Sequence, residues 1–376
     1  MFGVYVHYPY CARHCPYCDF NVAVTRSIPH DDYRDAVLAE LAARAPAVPG
    51  RPAPQSLYFG GGTPGLWPAR HIGEVIDAVA ARLGLAPDAE ITVECNPEDI
   101  TADGIAALRH AGVNRISLGV QSFDDALLAR LGRHHTGATA RAAVDAIRRG
   151  GIDEISLDLM HGHATQGLAG ALADVHAACA LAPTHLSTYQ LTIEDRTAFG
   201  ARAARGEILL DEDGALLTLY HAIRDALRAG GLVPYEISNA AVPGHEARHN
   251  RLYWTNGEYL ALGAGAHGFL HDGDGAWRWE NERHPGRYMT AARQGRPAET
   301  FRDAIAPAEL LEERVMCGLR QDIGLAVDDR LAARFGPAAA RLEAQGLLTG
   351  LPDRWRVTDR GRAILDRVVL DLVSTP

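Results

Sequence analysis

The stretch GVYVHYPYCARHCPYCDF (3–20) carries the clearest structural signal in the sequence. Its first six residues are mostly β-branched or aromatic, which is typical of a β-strand. Cys11, Cys15 and Cys18 follow this strand directly and make up half of the protein's six cysteines. In a reducing compartment, clustered cysteines indicate metal binding or catalysis rather than disulfides. The stretch therefore predicts a loop of thiol ligands at the end of the first strand.

The order of strand and then helix recurs along the first half of the chain. The predicted strands cover residues 3–8, 56–60, 91–95, 115–120, 154–160 and 185–191. The predicted helices between them cover residues 33–45, 69–83, 101–110, 138–150 and 168–181. Such alternation implies parallel strands joined by helical crossovers. The predicted fold class is α/β, with a partial (β/α)6 barrel similar to a TIM barrel.

Residues suited to ligand binding follow the carboxyl ends of the predicted strands. They are Cys11, Gly60 to Thr63, Asn96, Gln121, Gly162 and Thr192. In a barrel of this kind, ligand sites collect at that end. We therefore expect one functional site on one rim of the barrel.

The alternation stops after residue 200, which predicts a change of domain. Residues 236–300 are rich in Gly, His, Trp and Tyr, and we expect irregular structure that wraps the barrel. Helical stretches and a short hairpin after residue 300 resemble a small winged-helix-like α+β domain. The predicted divisions are a barrel over 1–235, a connecting segment over 236–300 and a C-terminal domain over 301–376.

The composition is globular and acidic. With 37 basic and 47 acidic residues, the 376-residue chain has a formal charge of −10, which argues against a nucleic-acid partner. No apolar run has the length of a membrane span, and the first residues lack the pattern of a signal peptide. We expect a cytoplasmic protein.

The cysteine spacing, C-x3-C-x2-C, suits a soft metal centre. A zinc site completed by His7 or His14 fits less well, because structural zinc sites usually draw on two separated ligand pairs. Three unconnected buried cysteines would seldom cluster so tightly. A four-iron cluster held by three thiolates leaves one iron open for a substrate or cofactor.

This motif, with Tyr17 just before its last cysteine, resembles the signature of the radical S-adenosylmethionine (SAM) superfamily. The resemblance implies a 4Fe–4S cluster on Cys11, Cys15 and Cys18, with SAM on the fourth iron. In that family the cluster donates an electron that cleaves SAM homolytically.

Other segments resemble the coproporphyrinogen oxidase-like branch of the superfamily. They are YFGGGTPGLW (58–67), VECNPE (93–98), ISLGVQSF (116–123), LGRHH (131–135) and SLDLMHG (156–162). The resemblance implies that Tyr5, Gly61 and Glu94 contact the SAM on the cluster. The positions that match contacts to a second SAM are Gly62, Thr63, Gln121, Arg133 and Asp158. A plain alternative for each charged residue is an exposed or capping role.

Two features are similar to the HemW-type haem chaperones of this branch. Cys18 is followed by Asp19 and Phe20, whereas coproporphyrinogen III oxidases carry a further cysteine two positions on. HNRLYW (249–254) matches the H-N-x-x-Y-W motif of the chaperones. The resemblance implies haem ligation by His249, with Tyr253 and Trp254 against the porphyrin. The alternative is that this motif anchors the connecting segment onto the barrel.

The chain departs from the family pattern after the fifth predicted strand. HGHATQ (161–166) stands where the family has a glycine–leucine–proline turn, and we expect His161 and His163 to face solvent. The alternative is that they alter the rim or add ligands to it. Cys95, beside Glu94, is expected to be buried and inert.

The resemblance predicts a haem chaperone that binds haem and hands it to an apo-haemoprotein. It leaves open whether delivery occurs at a membrane and whether the chain forms a homodimer. The first rival is an enzyme that decarboxylates coproporphyrinogen III oxidatively, through a 5′-deoxyadenosyl radical. The second rival is a radical SAM methyltransferase.

Overall fold

The structure, a computed structural model, describes residues 1–48, 50–296 and 298–374. Strands and helices alternate in its first part. The strands are β1 (Phe2–Tyr8), β2 (Tyr10–Cys11), β3 (Ala23–Val24), β4 (Ser56–Gly61), β5 (Glu90–Cys95), β6 (Arg115–Gln121), β7 (Glu154–His161) and β8 (His185–Gln190). The helices are α1 (His30–Arg44), α2 (Ala69–Leu83), α3 (Ala102–His110), α4 (Asp125–Arg130), α5 (Gly137–Arg149), α6 (Gly167–Ala180), α7 (Ala198–Ala203) and α8 (Asp213–Ala229).

Parallel pairing of β1, β4, β5, β6, β7 and β8, in that order, confirms the predicted partial (β/α)6 barrel. Side chains alternate across each strand, so Leu57 and Phe59 of β4 are buried outside the barrel wall while Tyr58 faces its interior. Helix α2 covers this wall with apolar residues spaced three and four apart, as in Ile72 and Val75.

The connecting segment is largely regular, so the prediction of irregular structure was wrong. It contains β10 (Asn239–Ala241), α9 (Arg248–Trp254), β11 (Glu258–Leu262), β12 (His267–Asp272), β13 (Gly275–Asn281) and α10 (Pro285–Arg293). The short strand β9 (Val233–Pro234) precedes the segment, and β14 (Glu299–Ile305) begins at its end. β11 pairs in parallel with β1, and β10 pairs antiparallel with β8. Within the described residues, twelve strands therefore form one sheet, in the order β14-β13-β12-β11-β1-β4-β5-β6-β7-β8-β10-β9.

Helix α9 closes the amino-terminal end of the barrel. The carboxylate of Glu90, at the start of β5, accepts hydrogen bonds from the backbone N–H groups of Arg248 and His249, at 3.0 and 3.1 Å. The His249 ring then reaches Ser56 at the start of β4. A carboxylate suits this place because it satisfies N–H groups that lack partners in the first helical turn.

The C-terminal part forms a small unit with its own hydrophobic core, in agreement with the predicted winged-helix-like domain. Its elements are α11 (Pro307–Gly318), β15 (Leu325–Ala326), α12 (Asp329–Ala344), β16 (Leu348–Thr349), β17 (Arg354–Val357), α13 (Asp359–Arg362) and α14 (Leu365–Val373). Its strands form an antiparallel sheet in the order β15-β17-β16. Among the helices in the described ranges, none combines the length and the apolarity that crossing a bilayer requires.

Candidate functional site

The cysteine loop and the glycine-rich turn lie side by side at the carboxyl ends of β1 and β4. The backbone N–H of Gly62 donates to the carbonyl of Tyr8 at 2.8 Å, and that of Thr63 donates to the carbonyl of Tyr10 at 2.9 Å. Gly61 has a φ of 112°, and a Cβ atom there would lie 2.4 Å from the His7 ring. Glycine is therefore required at this turn, both for its backbone conformation and for the close approach.

A chain of hydrogen bonds joins two of the thiols across the rim. The Thr63 hydroxyl donates to Cys11 Sγ at 3.4 Å, and the Asn96 amide donates to Thr63 Oγ1 at 3.2 Å. Arg133 donates to Asn96 Oδ1 at 2.6 Å and to Cys15 Sγ at 3.6 Å. The fold thus brings Thr63 and Arg133 next to the cysteines. Asn96 was noted only as a strand-end residue, yet it connects them.

The chemistry of the loop fits an iron–sulfur cluster, although the thiols do not form a closed ligand set. In the described part of the chain, no three His, Cys, Asp or Glu side chains stand in a geometry that could hold a metal ion. All three thiols are nevertheless half-buried on one loop, and Arg133 places a positive charge beside them. Such a charge stabilises thiolates and the sulfur atoms of a cluster.

Burial raises the pKa values of two of these thiols. The pKa of Cys18 rises to about 11, mainly through burial and also through the charges of the neighbouring thiolates of Cys15 and Cys11. Burial likewise raises the pKa of Cys11, which the hydrogen bond from Thr63 partly offsets. Both thiols are protonated at neutral pH, so binding of a metal cluster would release protons.

Glu94 stands inside the barrel below the glycine turn. It accepts a hydrogen bond from the Tyr58 hydroxyl at 2.8 Å and another from the backbone N–H of Gly61 at 3.0 Å. Burial raises the pKa of Glu94 to about 7, against the lowering effect of these hydrogen bonds. A carboxylate that is half ionised near neutral pH can accept hydrogen bonds from the amino or hydroxyl groups of a ligand. Tyr58 is the first residue of the matched segment 58–67, but the resemblance assigned it no role, although strand alternation places its side chain inside the barrel.

The other predicted residues of the barrel lie around Glu94. The Tyr5 ring is stacked 6.2 Å from the ring of Tyr58, and its hydroxyl pairs with His7 at 3.1 Å. Asp158 accepts a hydrogen bond from Ser117 at 2.9 Å, and burial raises its pKa.

The remaining predicted residues of the rim lie near Arg133. A Cβ atom on Gly119 would lie 3.2 Å from the side-chain amide of Gln121 and 3.5 Å from Arg133, so these two side chains converge there. Tyr17 packs against Phe199, with 6.2 Å between the ring centres. The fold therefore brings the predicted rim residues to one end of the barrel.

His249 lies away from the rim, below Tyr5 and Tyr58, and is 1% exposed. Its Nδ1 is hydrogen-bonded to Ser56 Oγ at 2.8 Å, and its Nε2 is hydrogen-bonded to the Tyr253 hydroxyl at 2.8 Å. Burial lowers the pKa of His249 to about 3, so the ring is neutral. In this conformation both ring nitrogens are occupied, and the motif anchors α9 in the barrel.

His161 and His163 are buried, so the expectation that they face solvent was wrong. Their exposures are 6% and 5%, because β7 continues to His161 and His163 forms a bridge with Leu210. Burial lowers the pKa of His161 to about 4. Cys95 is buried as expected, at 4% exposure, and lies against Gly65.

Comparison with known proteins assigns the chain to a family. Residues 5–169 match the Radical SAM superfamily, and residues 305–364 match the HemN C-terminal domain. A protein of Escherichia coli named "Heme chaperone HemW" is 38% identical, over 98% of this chain and 97% of its own length. The chain belongs to the HemW family of radical SAM proteins. A HemW protein of Mycobacterium tuberculosis is 37% identical, over 99% of this chain and 95% of its own.

The solved structure of coproporphyrinogen III oxidase from Escherichia coli shares the fold of this HemW-family chain. The TM-score is 0.83 at 23% identity, over 99% of this chain and 90% of the oxidase. The superfamily membership implies a 4Fe–4S cluster and SAM, and the rim residues described above are chemically suited to both.

Proposed function

We propose that the chain is a haem chaperone that binds haem and passes it to apo-haemoproteins, built on a radical SAM core. The observation that carries the proposal is the 38% identity, over nearly the whole of both chains, to a protein named as a heme chaperone. Asp19 and Phe20 support it, since they follow Cys18 where the oxidases of this branch are expected to have a further cysteine.

The proposed cofactor site is the rim of the barrel. Cys11, Cys15 and Cys18 would hold the 4Fe–4S cluster, whose chemistry when bound is one-electron transfer to SAM. Glu94 would accept hydrogen bonds from the amino or ribose hydroxyl groups of SAM, and the Gly61 turn would let the ligand approach the backbone closely. Tyr5 and Tyr17 would line the same rim.

The five residues that match a second SAM site divide into two groups in this proposal. Thr63 and Arg133 donate to cysteine sulfur atoms, which favours a role beside the cluster. Gly62, Gln121 and Asp158 remain candidates for contact with a second SAM.

Haem ligation by His249 remains a prediction, and the geometry adds a condition to it. An iron atom reaches either ring nitrogen only after a hydrogen bond to Ser56 or Tyr253 has broken and α9 has moved. His267 is the exposed alternative donor, since half of its side chain is accessible.

The proposal is tested by offering the reconstituted protein two substrates under anaerobic conditions. In the first arm the protein receives haem and then an apo-haemoprotein, and we expect a Soret band that moves from one protein to the other. In the second arm it receives coproporphyrinogen III, SAM and a reductant, and we expect no protoporphyrinogen. Conversion of coproporphyrinogen III without haem binding would establish the oxidase instead.

A further inference from the structure

The ring of His249 supports Tyr58 from below. The two rings are stacked, with centroids 5.1 Å apart and planes inclined by 22°. His249 also lies 6.1 Å from the ring of Tyr5, which is itself stacked on Tyr58. The three rings form one stacked group between α9 and the rim.

The orientation of His249 is fixed from several sides. Ser56 and Tyr253 hold its two nitrogens, and the Tyr253 ring meets it edge-on, at 5.0 Å and 87°. Its backbone N–H is held by Glu90. A buried ring with both nitrogens satisfied has one low-energy orientation, so it can serve as a rigid support.

Tyr58 passes this support on to Glu94. Its hydroxyl donates to Glu94 Oε1 at 2.8 Å, and Gly61 donates to the second carboxylate oxygen. The carboxylate is thus oriented by one backbone group of the glycine turn and by one side chain that rests on α9.

We propose that His249 is a positioning residue for the SAM site, acting through Tyr58 on the orientation of Glu94. This inference rests on the proposed binding of SAM by Glu94 and requires no role of His249 in haem ligation. It gives the H-N-x-x-Y-W segment a function in the cofactor site, although that segment enters the barrel from the opposite end.

The test measures SAM binding without haem. SAM is titrated into the reconstituted, reduced protein, and its dissociation constant is taken from the change in the electron paramagnetic resonance spectrum of the cluster. His249→Ala should weaken SAM binding about tenfold, the size expected for a misplaced hydrogen bond to a charged group, at unchanged iron content. His249→Phe, which keeps a planar ring below Tyr58, should restore most of the affinity.

His185 offers a matched control. It is 2% exposed and is hydrogen-bonded to a serine and a tyrosine, Ser156 and Tyr235, both at 2.8 Å. It contacts neither Tyr58 nor Glu94 among the interactions of the described residues. His185→Ala should therefore leave the effect of SAM on the spectrum unchanged.

A double-mutant cycle separates positioning from general damage to the fold. If His249 acts through Tyr58, adding His249→Ala to Tyr58→Phe should weaken SAM binding no further, whereas independent effects would add. If the alanine variant does not fold, His249→Leu fills the space without a planar ring and carries the same expectation. The proposal would be overturned if the His249→Ala variant bound SAM within about twofold of the wild type. It would also be overturned if the effects of His249→Ala and Tyr58→Phe on SAM affinity were additive. A protein that binds SAM in this way yet fails to bind haem would instead refute the haem chaperone function alone.

Discussion

At the scale of single residues, burial makes the stability of the protein depend on the ionisation of Glu94, a residue of the proposed cofactor site. Its pKa is raised to about 7 in the fold, from an ordinary value of 4.5, because the side chain is removed from water. Between these two pH values the native state binds a proton that the unfolded chain has released. The free energy of unfolding of the cofactor-free protein therefore falls as the pH rises through this range.

Glu94→Gln should remove that loss of stability. We expect the variant to exceed the wild type at pH 8 by up to about 3 kcal/mol in free energy of unfolding, and to approach it at pH 4. Urea unfolding of the cofactor-free proteins at both pH values measures the difference. Glu98→Gln is a control that should instead lower the free energy of unfolding at pH 8. Burial raises the pKa of Glu98, but the hydrogen bond to His135 outweighs it and lowers that pKa to about 2. A Glu94 variant that gains nothing at pH 8 would contradict the ionisation assigned to this residue.

The cysteines permit a prediction about cofactor assembly. Replacing Cys11, Cys15 or Cys18 by Ala should abolish the visible absorbance of the cluster after anaerobic reconstitution, because each variant lacks one of the proposed thiolate ligands. The remaining cysteines, Cys95, Cys179 and Cys317, serve as controls. Loss of the absorbance in one of these control variants would show that the ligand assignment is wrong.

The sequence places individual residues at the rim but does not reveal the hydrogen bonds between them. Strand ends are visible as apolar runs, and the carboxyl ends of parallel strands meet at one rim, so Cys11, Glu94 and Asp158 could be placed. Asn96 and Tyr58 lie within the matched segments 93–98 and 58–67, but the resemblance assigns no contact to either residue. Their roles depend on which side chains of neighbouring strands come within hydrogen-bonding distance, which the pairing register decides.

At the scale of secondary structure, the connecting segment was mispredicted for a physical reason. β11 finds its partner β1 more than 250 residues earlier in the chain, at Phe2↔Glu258. Short strands gain most of their stability from such partners, so their own sequences give a weak signal. The same distance hid the position of α9, since no local pattern says which end of a barrel a helix will close.

Helix α9 also yields a prediction about two ligands. Withdrawal of His249 toward a haem iron would remove the support of Tyr58, so haem at His249 and SAM at Glu94 should weaken each other's binding reciprocally. We expect the haem affinity of the wild type, measured by the Soret band, to fall when SAM is saturating. His249→Phe should show no such dependence, whereas His267→Ala should retain it. Equal haem affinity with and without SAM would place the haem ligand elsewhere.

At the scale of the whole molecule, polar contacts join the C-terminal unit to the barrel. Gln321 donates to the carbonyl of Trp254, the last residue of α9, at 3.0 Å. Asp322 is paired with Arg224 of α8 and with Arg362 of α13, whose side chains are both 6% exposed. The sequence predicted a separate C-terminal unit from its change of pattern. The sequence could not predict how this unit contacts the barrel, because partners such as Arg224 and Asp322 lie 98 residues apart in the chain.

This docking leads to a prediction about cooperativity. Asp322→Ala would leave two buried guanidinium groups without their shared carboxylate, which should cost about 3–5 kcal/mol. Because the C-terminal unit has its own core, the variant should mainly weaken the association of this unit with the barrel. Hydrogen exchange should then accelerate in α12 and β17 more than in β4 and β5.

Asp366→Ala is the control for Asp322→Ala. Asp366 is 90% exposed in its ion pair with Arg320, and exposed pairs of this kind contribute at most about 1 kcal/mol. The hydrogen-exchange rates of the Asp366→Ala variant should therefore match those of the wild type. If Asp322→Ala accelerated exchange equally in the barrel and in the C-terminal unit, the two would unfold as one cooperative body. In that case a change in the C-terminal unit would also reach α9, because Gln321 is hydrogen-bonded to its last residue, and α9 supports the proposed SAM site.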